Sequence, residues 1–218
     1  MNSLTEENYL KAVLALSAET GKVNVNDLSI RLGIKMPTVT QMMKKLADKK
    51  LVQYQRYKPI RLTETGKKEA AIIIRKHRLA EMFLVRVMGF GWEGVHEIAE
   101  QVEHIRSQMF FEKIDEMLGF PKIDPHGSPI PDKNGKIEWK HHVKMSDCKA
   151  GETVKLTAVL DSSTGFLKFL NSRGLKLGLR VKIISVEPFD GTMVVNHRKG
   201  QSETLSHTIC ERLLCEKI

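Results

Sequence analysis

Residues 36–62 of the chain read MPTVTQMMKKLADKKLVQYQRYKPIRL. The first half predicts a helix, because its apolar residues recur at helical spacing and proline is well tolerated in a first helical turn. The second half predicts two short strands, residues 51–57 and 60–62, joined around Lys58-Pro59. This stretch therefore indicates a helix that is followed at once by a β-hairpin.

Two further helices are predicted upstream of this stretch. Residues 4–19 have helical apolar spacing, with Ser3 as N-cap, Glu6 at the capping-box position and Gly21 as the stop. A shorter helix follows, from Asn26 to Gly33. Three helices and a hairpin within about sixty residues are the plan of a winged helix-turn-helix. We place this DNA-binding domain at residues 1–64.

The remainder of the chain predicts two further domains, the first helical and the second rich in β-strands. Residues 65–144 predict mainly helices and form the expected second domain, in which the prolines between Pro121 and Pro131 favour an extended turn. Residues 145–218 show short β-type segments separated by glycines, which predict a small β-barrel. The expected fold class is mainly α with a small all-β C-terminal domain.

The net charge of +9 is unevenly distributed along the 218 residues. Lys and Arg predominate over Asp and Glu in residues 1–92, whereas acidic residues predominate in residues 93–145. A basic N-terminal part predicts a polyanion partner. No apolar run reaches the roughly 20 residues of a membrane span, and no signal peptide is evident, so we expect a cytoplasmic protein without a membrane partner. The three cysteines are too few for a disulfide scaffold.

The third helix carries side chains suited to reading DNA. Gln can pair bidentately with adenine in the major groove, and Thr can contact a thymine methyl. The loop before the helix and the hairpin after it place cations where phosphates would lie, which adds affinity but little sequence information. The expected DNA-binding residues are Lys35, Pro37, Thr38, Thr40, Gln41, Lys44, Lys45, Arg56 and Lys58.

A predicted helix in the acidic region carries a face of histidines and glutamates. His96, Glu100, Glu103 and His104 fall within about 100° of one another on a helical wheel. Residues 93–105 contain no Lys or Arg, so the crowded carboxylates predict a divalent cation between them. The preceding helix adds His77 and Glu81, one turn apart. Nitrogen and oxygen donors without thiolate favour Mn²⁺, Fe²⁺ or Co²⁺, and Zn²⁺ can also bind.

Taken together, these segments resemble the diphtheria-toxin-repressor family of metal-dependent transcriptional repressors. The resemblance rests on ENYL at 7–10, PTVTQ at 37–41, RKHRLAE at 75–81, VHEIAEQVEH at 95–104 and PHGSPIP at 125–131. The last seventy residues resemble the SH3-like (FeoA-type) domain of that family. The resemblance implies a homodimer that binds a palindromic DNA operator and represses metal-homeostasis genes when loaded with Mn²⁺ or Fe²⁺.

The resemblance also implies two metal sites per subunit. One would use Asn8, Glu100, Glu103 and His104, and the other His77, Glu81 and His96, completed by Asp161. Glu100 stands where iron-responsive members have a thiol, which points to the manganese branch, although the neutral Asn8 is unusual for either branch. Lys11 stands where the short manganese regulators have an acidic residue, which argues against their paired-metal arrangement.

Two other function classes stay open at this point. Glu93-x-x-His96 matches one half of the paired motif of di-iron enzymes, although no second copy is evident. A winged-helix regulator can also respond to an organic ligand instead of a metal. Oxygen-dependent turnover would favour the enzyme, and a DNA response that survives alanine at Glu103 and His104 would favour the organic ligand. No nucleophile and base pair is evident, and we expect no enzyme activity.

Overall fold

The computed structural model describes residues 2–138, 141–198 and 201–218. They divide into two compact units. The first unit contains the described residues of 2–80, 100–117 and 130–138, and the second contains those of 81–99, 118–129, 141–198 and 201–218. The expected second domain, residues 65–144, includes Trp139 and Lys140, which lie outside the described residues. The three domain boundaries stay predictions.

The first unit begins with three helices and a hairpin. These are α1 (Leu4–Thr20), α2 (Val25–Leu32), α3 (Met36–Asp48), β1 (Val52–Gln53) and β2 (Arg61–Leu62), with β1 and β2 antiparallel. The predicted capping box of α1 is present, because Ser3 and Glu6 exchange side-chain to backbone hydrogen bonds. Gly21 ends the helix in the left-handed region, at φ 71°. The strands of the hairpin are shorter than predicted, so most of the wing is a turn.

A core of apolar side chains joins these elements. Leu10 and Val13 of α1, Leu28 of α2 and Met43 and Leu46 of α3 are fully buried. They recur at helical spacing, so each helix turns one apolar face inward and leaves its polar face outward. For α3, the outward face is the one that carries the expected DNA-binding side chains.

The helices that follow are α4 (Glu64–Arg86), α5 (His96–Val102) and α6 (Gln108–Met117). Helix α5 is shorter than the histidine and glutamate face predicted from the sequence. It ends at Val102, and the Ile105 N–H donates to the Val102 carbonyl at 2.9 Å. Glu103 and His104 therefore lie in the turn after the helix. None of the helices described is both long and apolar enough to cross a membrane.

The second unit contains an antiparallel six-stranded sheet in the order β3-β8-β4-β5-β6-β7. Its elements are β3 (Val143–Lys144), a 3₁₀ turn η1 (Met145–Asp147), β4 (Thr153–Val159), α7 (Thr164–Ser172), β5 (Arg180–Val186), β6 (Met193–Arg198), β7 (Gln201–Leu205), α8 (His207–Cys210) and β8 (Leu213–Lys217). The small all-β C-terminal domain expected from the sequence is confirmed. The short helices α7 and α8 interrupt this β-rich region, for which the sequence predicts only short β-type segments.

Candidate metal centre and DNA-binding face

The DNA-binding side chains expected on α3 lie on its solvent side. Thr38, Gln41 and Lys44 are exposed and Thr40 is half-buried, whereas Val39, Met43 and Leu46 face the core. Lys35 precedes the helix, and Pro37 stands in its first turn. Lys45 is exposed as well and forms an ion pair with Glu6 of α1, with 3.2 Å between Nζ and Oε1.

The wing presents its cations at a tight turn. The Lys58 N–H donates to the Gln55 carbonyl at 3.0 Å, and Tyr57 adopts a left-handed backbone conformation at φ 65°. Arg56 and Lys58 are exposed, and the Arg56 guanidinium lies 4.9 Å from the centre of the Tyr57 ring. Recognition helix and wing therefore both present polar and cationic groups to solvent, as a DNA-binding face requires.

A buried carboxylate forms the centre of a charged cluster in the first unit. Glu103 is 0% exposed, and its Oε2 lies 2.6 Å from His77 Nδ1. Its Oε1 lies 2.8 Å from Lys11 Nζ and 3.6 Å from His104 Nε2. Glu100 joins the cluster through Lys11, at 2.7 Å. His77, Glu100 and Glu103 place ligand-type atoms within 4.8 Å of one another.

Helix α1 supplies the opposite wall of this cluster. Glu7 Oε2 lies 2.7 Å from His104 Nδ1, and Lys11 follows one turn later. Asn8 lies between them, and its buried Oδ1 finds no hydrogen-bond donor among the described residues. A buried amide oxygen without a partner is costly, and an amide oxygen is a ligand that hard divalent cations accept. Asn8 therefore fits a metal ion, as do the carboxylates beside it.

A second group of ligand-type side chains lies in the second unit. Glu81, Asp124 and His126 are all buried and place ligand-type atoms within 4.8 Å of one another. His96 contacts the same glutamate, with 3.3 Å between Nδ1 and Glu81 Oε1. The sequence reading assigned Glu81 and His96 to one site but did not include Asp124 or His126.

The orientation of His126 is set by a backbone carbonyl. Its Nε2 lies 2.9 Å from the Trp92 oxygen, which can only accept, so Nε2 carries the hydrogen. Nδ1 then faces Glu81 Oε2, at 3.6 Å. Burial opposes protonation of His126, but the hydrogen bond and the charge of Glu81 outweigh it and raise its pKa. A carbonyl that fixes one ring nitrogen is the usual support of a metal-binding histidine.

Asp124 is held by the loop that contains it. Its Oδ1 accepts hydrogen bonds from the backbone N–H groups of His126 and Ser128, at 2.8 and 2.9 Å. This turn belongs to the proline-rich segment for which the sequence predicts only an extended turn. The one sequence signal for this group of side chains is that Asp124 and His126, two ligand-type residues, lie within three residues of each other in a constrained loop.

The remaining expected ligands are placed as follows. Asp161 Oδ2 lies 2.8 Å from Arg212 Nη1, and its Oδ1 accepts from the Ser163 N–H at 2.8 Å. Asp161 belongs to none of the ligand-type groups found in the residues described. His77 lies in the first unit and Glu81, one turn later on α4, in the second. The assignment of His77 and Asp161 to the site of Glu81 and His96 stays a prediction.

An exposed winged-helix face together with buried carboxylate and histidine groups defines a metal-responsive DNA-binding regulator. Comparison with known families agrees with this class. The N-terminal DNA-binding domain of the iron-dependent repressors matches residues 1–60, their metal-binding and dimerisation domain matches residues 63–132, and the FeoA domain matches residues 143–217.

Individual relatives extend over the whole chain. The iron-dependent repressor IdeR of Mycobacterium bovis is 28% identical, and the match covers 100% of both chains. A manganese-dependent transcriptional repressor, solved in complex with manganese, has a TM-score of 0.87 at 28% identity and covers 98% of this chain and 100% of its own. The repressor ScaR with bound Cd²⁺ has a TM-score of 0.83 at 31% identity, with 98% and 99% covered. The chain belongs to the diphtheria-toxin-repressor family of metal-dependent transcriptional repressors.

Proposed function

We propose that this protein is a homodimeric repressor that binds a palindromic operator when loaded with Mn²⁺ or Fe²⁺ and controls metal-homeostasis genes. The observation that carries the proposal is the cluster around Glu103. It joins side chains of α1, Glu7 and Lys11, to side chains of residues 100–104. Metal occupancy of this cluster therefore bears directly on α1, which packs within the DNA-binding domain.

Asn8, Glu100, Glu103 and His104 would hold one metal ion. The short distances that join His77 to Glu100 and Glu103 support adding His77 to this set. The ion would supply divalent positive charge to the carboxylates of Glu100 and Glu103. The ligand side chains come from α1 and from residues 100–104, so binding holds these two segments at a fixed separation. Two recognition helices of a dimer must lie about 34 Å apart, or a multiple of it, to read a palindrome.

We propose a second metal site around Glu81, Asp124 and His126, with His96 beside Glu81. The donors are one imidazole and two carboxylates, all buried, and no thiolate is among them. Oxygen-rich donor sets of this kind suit Mn²⁺ and Fe²⁺, and Co²⁺ or Zn²⁺ can substitute in vitro. The relatives include both iron-dependent and manganese-dependent repressors, which supports the same pair of metals.

The competing classes gain no support from the family. Its members are DNA-binding repressors, so we interpret the chain as a regulator of transcription, not as an enzyme, acting in the cytoplasm where operator DNA lies. A di-iron enzyme would need a second Glu-x-x-His motif. A regulator of an organic ligand would leave the buried carboxylate groups without a role.

The experiment is an operator-binding titration by fluorescence anisotropy at fixed salt, with Mn²⁺, Fe²⁺ or a chelator. Allosteric coupling of about 1–3 kcal/mol predicts an operator affinity ~5–150-fold higher with metal. Glu103→Gln should abolish this gain, whereas Glu64→Gln, which changes an exposed glutamate of the same charge, should leave it intact. Equal operator affinity with chelator and with each metal would contradict the proposal.

A further inference from the structure

The Lys11 ammonium group lies between the carboxylates of Glu100 and Glu103, two of the proposed metal ligands. Its Nζ lies 2.7 Å from Glu100 Oε1 and 2.8 Å from Glu103 Oε1. The lysine side chain is only 19% exposed, and Glu103 is fully buried. Both contacts join residues about ninety positions apart in the chain, so they are tertiary contacts and not local ones.

The ammonium group and a metal ion compete for the same atoms. Lys11 Nζ contacts Oε1 of both Glu100 and Glu103, so an ion that these two carboxylates share would lie where the ammonium group lies. A cation bound to those oxygens would lie next to the Lys11 ammonium, and two positive charges at such a distance repel strongly in a partly buried site. Metal binding therefore requires that Lys11 withdraw.

We propose that Lys11 is an internal counter-ion that competes with the metal for Glu100 and Glu103 and so sets the metal concentration at which the repressor responds. The inference rests on the proposed metal-dependent function. Without metal, Lys11 neutralises part of the carboxylate charge and bridges α1 to residues 100–103. With metal, that bridge is replaced, and Lys11 moves towards solvent.

A purely structural role for Lys11 predicts the opposite result in the same experiment. If the lysine only anchors α1 to residues 100–103, removing its charge loosens the cluster, and the metal ligands become less well positioned. Metal affinity would then fall. If the lysine competes, removing its charge removes a cation that opposes metal binding at these carboxylates, and metal affinity rises. The direction of the change separates the two roles.

The test measures Mn²⁺ affinity of the full chain by competition with a fluorescent chelator, in wild type, Lys11→Met and Lys67→Met. Methionine keeps an unbranched side chain that ends where the lysine Cε lies, and it lacks the ammonium group. Charge-assisted hydrogen bonds of this kind predict a roughly 10- to 100-fold tighter Mn²⁺ affinity for Lys11→Met. The operator response should shift to lower Mn²⁺ by the same factor. Lys67, which pairs with Glu64 at 2.7 Å on the exposed surface, is the matched control and should change neither value.

An unchanged or weaker Mn²⁺ affinity of folded Lys11→Met overturns the inference. If that variant fails the test while operator binding by wild type still responds to metal, only the inference about Lys11 fails and the proposed function stands. If wild type binds no metal, the inference and the proposed function both fail. A second measurement does not depend on any variant folding. In wild type, titration with diamagnetic Zn²⁺ should shift the NMR signals of the Lys11 side-chain Cε and Nζ towards those of a solvated lysine. Signals that stay unchanged while Zn²⁺ binds at the cluster would also overturn it.

Discussion

Replacing Glu6 by glutamine should destabilise the DNA-binding domain in a pH-dependent way. Glu6 is 1% exposed, and its carboxylate lies within 2.8 Å of Lys49 Nζ and 3.2 Å of Lys45 Nζ. Burial opposes its ionisation, but the hydrogen bonds from Lys49, the Ser3 N–H and Lys45 outweigh it and lower the pKa from 4.5 to about 2. Glutamine keeps the capping-box contact to Ser3, so the substitution removes the charge and little else.

The pKa gives the size of the effect. A shift from 4.5 to about 2 corresponds to an upper limit of about 3.5 kcal/mol, at roughly 1.4 kcal/mol per pKa unit. Solvent screens the contacts, because Lys45 and Lys49 are 58% and 36% exposed, and we expect about 1–2 kcal/mol. Since the pKa is depressed in the folded state, this stability is complete above pH 4.5 and is lost as the pH falls to about 2.

Hydrogen exchange of α1 and α3 amides measures this stability in the intact chain, without interference from unfolding of the second unit. At pH 7 the amides of Glu6→Gln should exchange about 5- to 30-fold faster than in wild type, after correction for intrinsic rates. Near pH 2 the two proteins should converge. Glu64→Gln, at an exposed pair, is the control. Equal protection of Glu6→Gln and wild type at pH 7 would refute the pairing argument.

Three further predictions concern the DNA face, the second metal group and the thiols. Gln41→Ala should reduce the difference in binding free energy between operator and mismatched DNA by about 1–3 kcal/mol. Lys58→Ala should instead weaken binding to every DNA sequence by a similar amount and lower the slope of log affinity against log salt concentration by about 1. Anisotropy titrations measure both effects. Gly127→Ala should lower the melting temperature and the metal affinity, because φ is +88° and an added Cβ would lie 2.2 Å from the Thr157 carbonyl oxygen. Wild-type affinity in that variant would contradict the role of this loop. Burial raises the pKa of each thiol, so a thiol reagent at pH 8 should label none of them until urea is added; rapid native labelling would count against the packing of Cys148, Cys210 and Cys215.

The elements that the sequence predicts well are those that local interactions determine. The capping box of Ser3 and Glu6, the left-handed Gly21 and the apolar spacing of α3 involve residues within one or two turns of each other. Such signals identify helices and their solvent faces before any tertiary contact is known. The solvent exposure of the polar side of α3 was predictable for the same reason, and the role of its side chains in DNA binding stays a prediction.

The two groups of ligand-type side chains were only partly predictable, because they depend on contacts between distant segments. A helical wheel placed Glu103 and His104 on one helix face, but the helix ends before them, and a turn brings Glu103 into the interior. The contact of Lys11 with Glu100 spans 89 positions of the chain. Asp124 and His126 meet Glu81 only through the fold of the proline-rich loop. Sequence spacing identifies candidate ligands but not the partners that reach them.

Helix α1 links the cluster around Glu103 to α3, the helix expected to contact DNA. Glu6 holds Lys45 and Lys49 at the end of α3, while Glu7 and Lys11 contact residues 100–104. A helix of 17 residues behaves as a rigid element, so a change at its metal side shifts the groups that hold α3. Glu6→Gln should therefore reduce the metal-induced gain in operator affinity by about 0.5–2 kcal/mol, beyond any change that it causes without metal.

The measurement is operator affinity with Mn²⁺ and with chelator, in wild type and Glu6→Gln, at a temperature where both domains stay folded. Glu19→Gln is the matched control, because it removes a charge from the same helix at an exposed pair with Arg31. The control should keep the full metal response, since Glu19 contacts neither α3 nor the metal cluster in the contacts that the structure describes. If Mn²⁺ raises the operator affinity of Glu6→Gln as much as that of wild type, the coupling between metal and DNA does not depend on the contacts between Glu6 and α3.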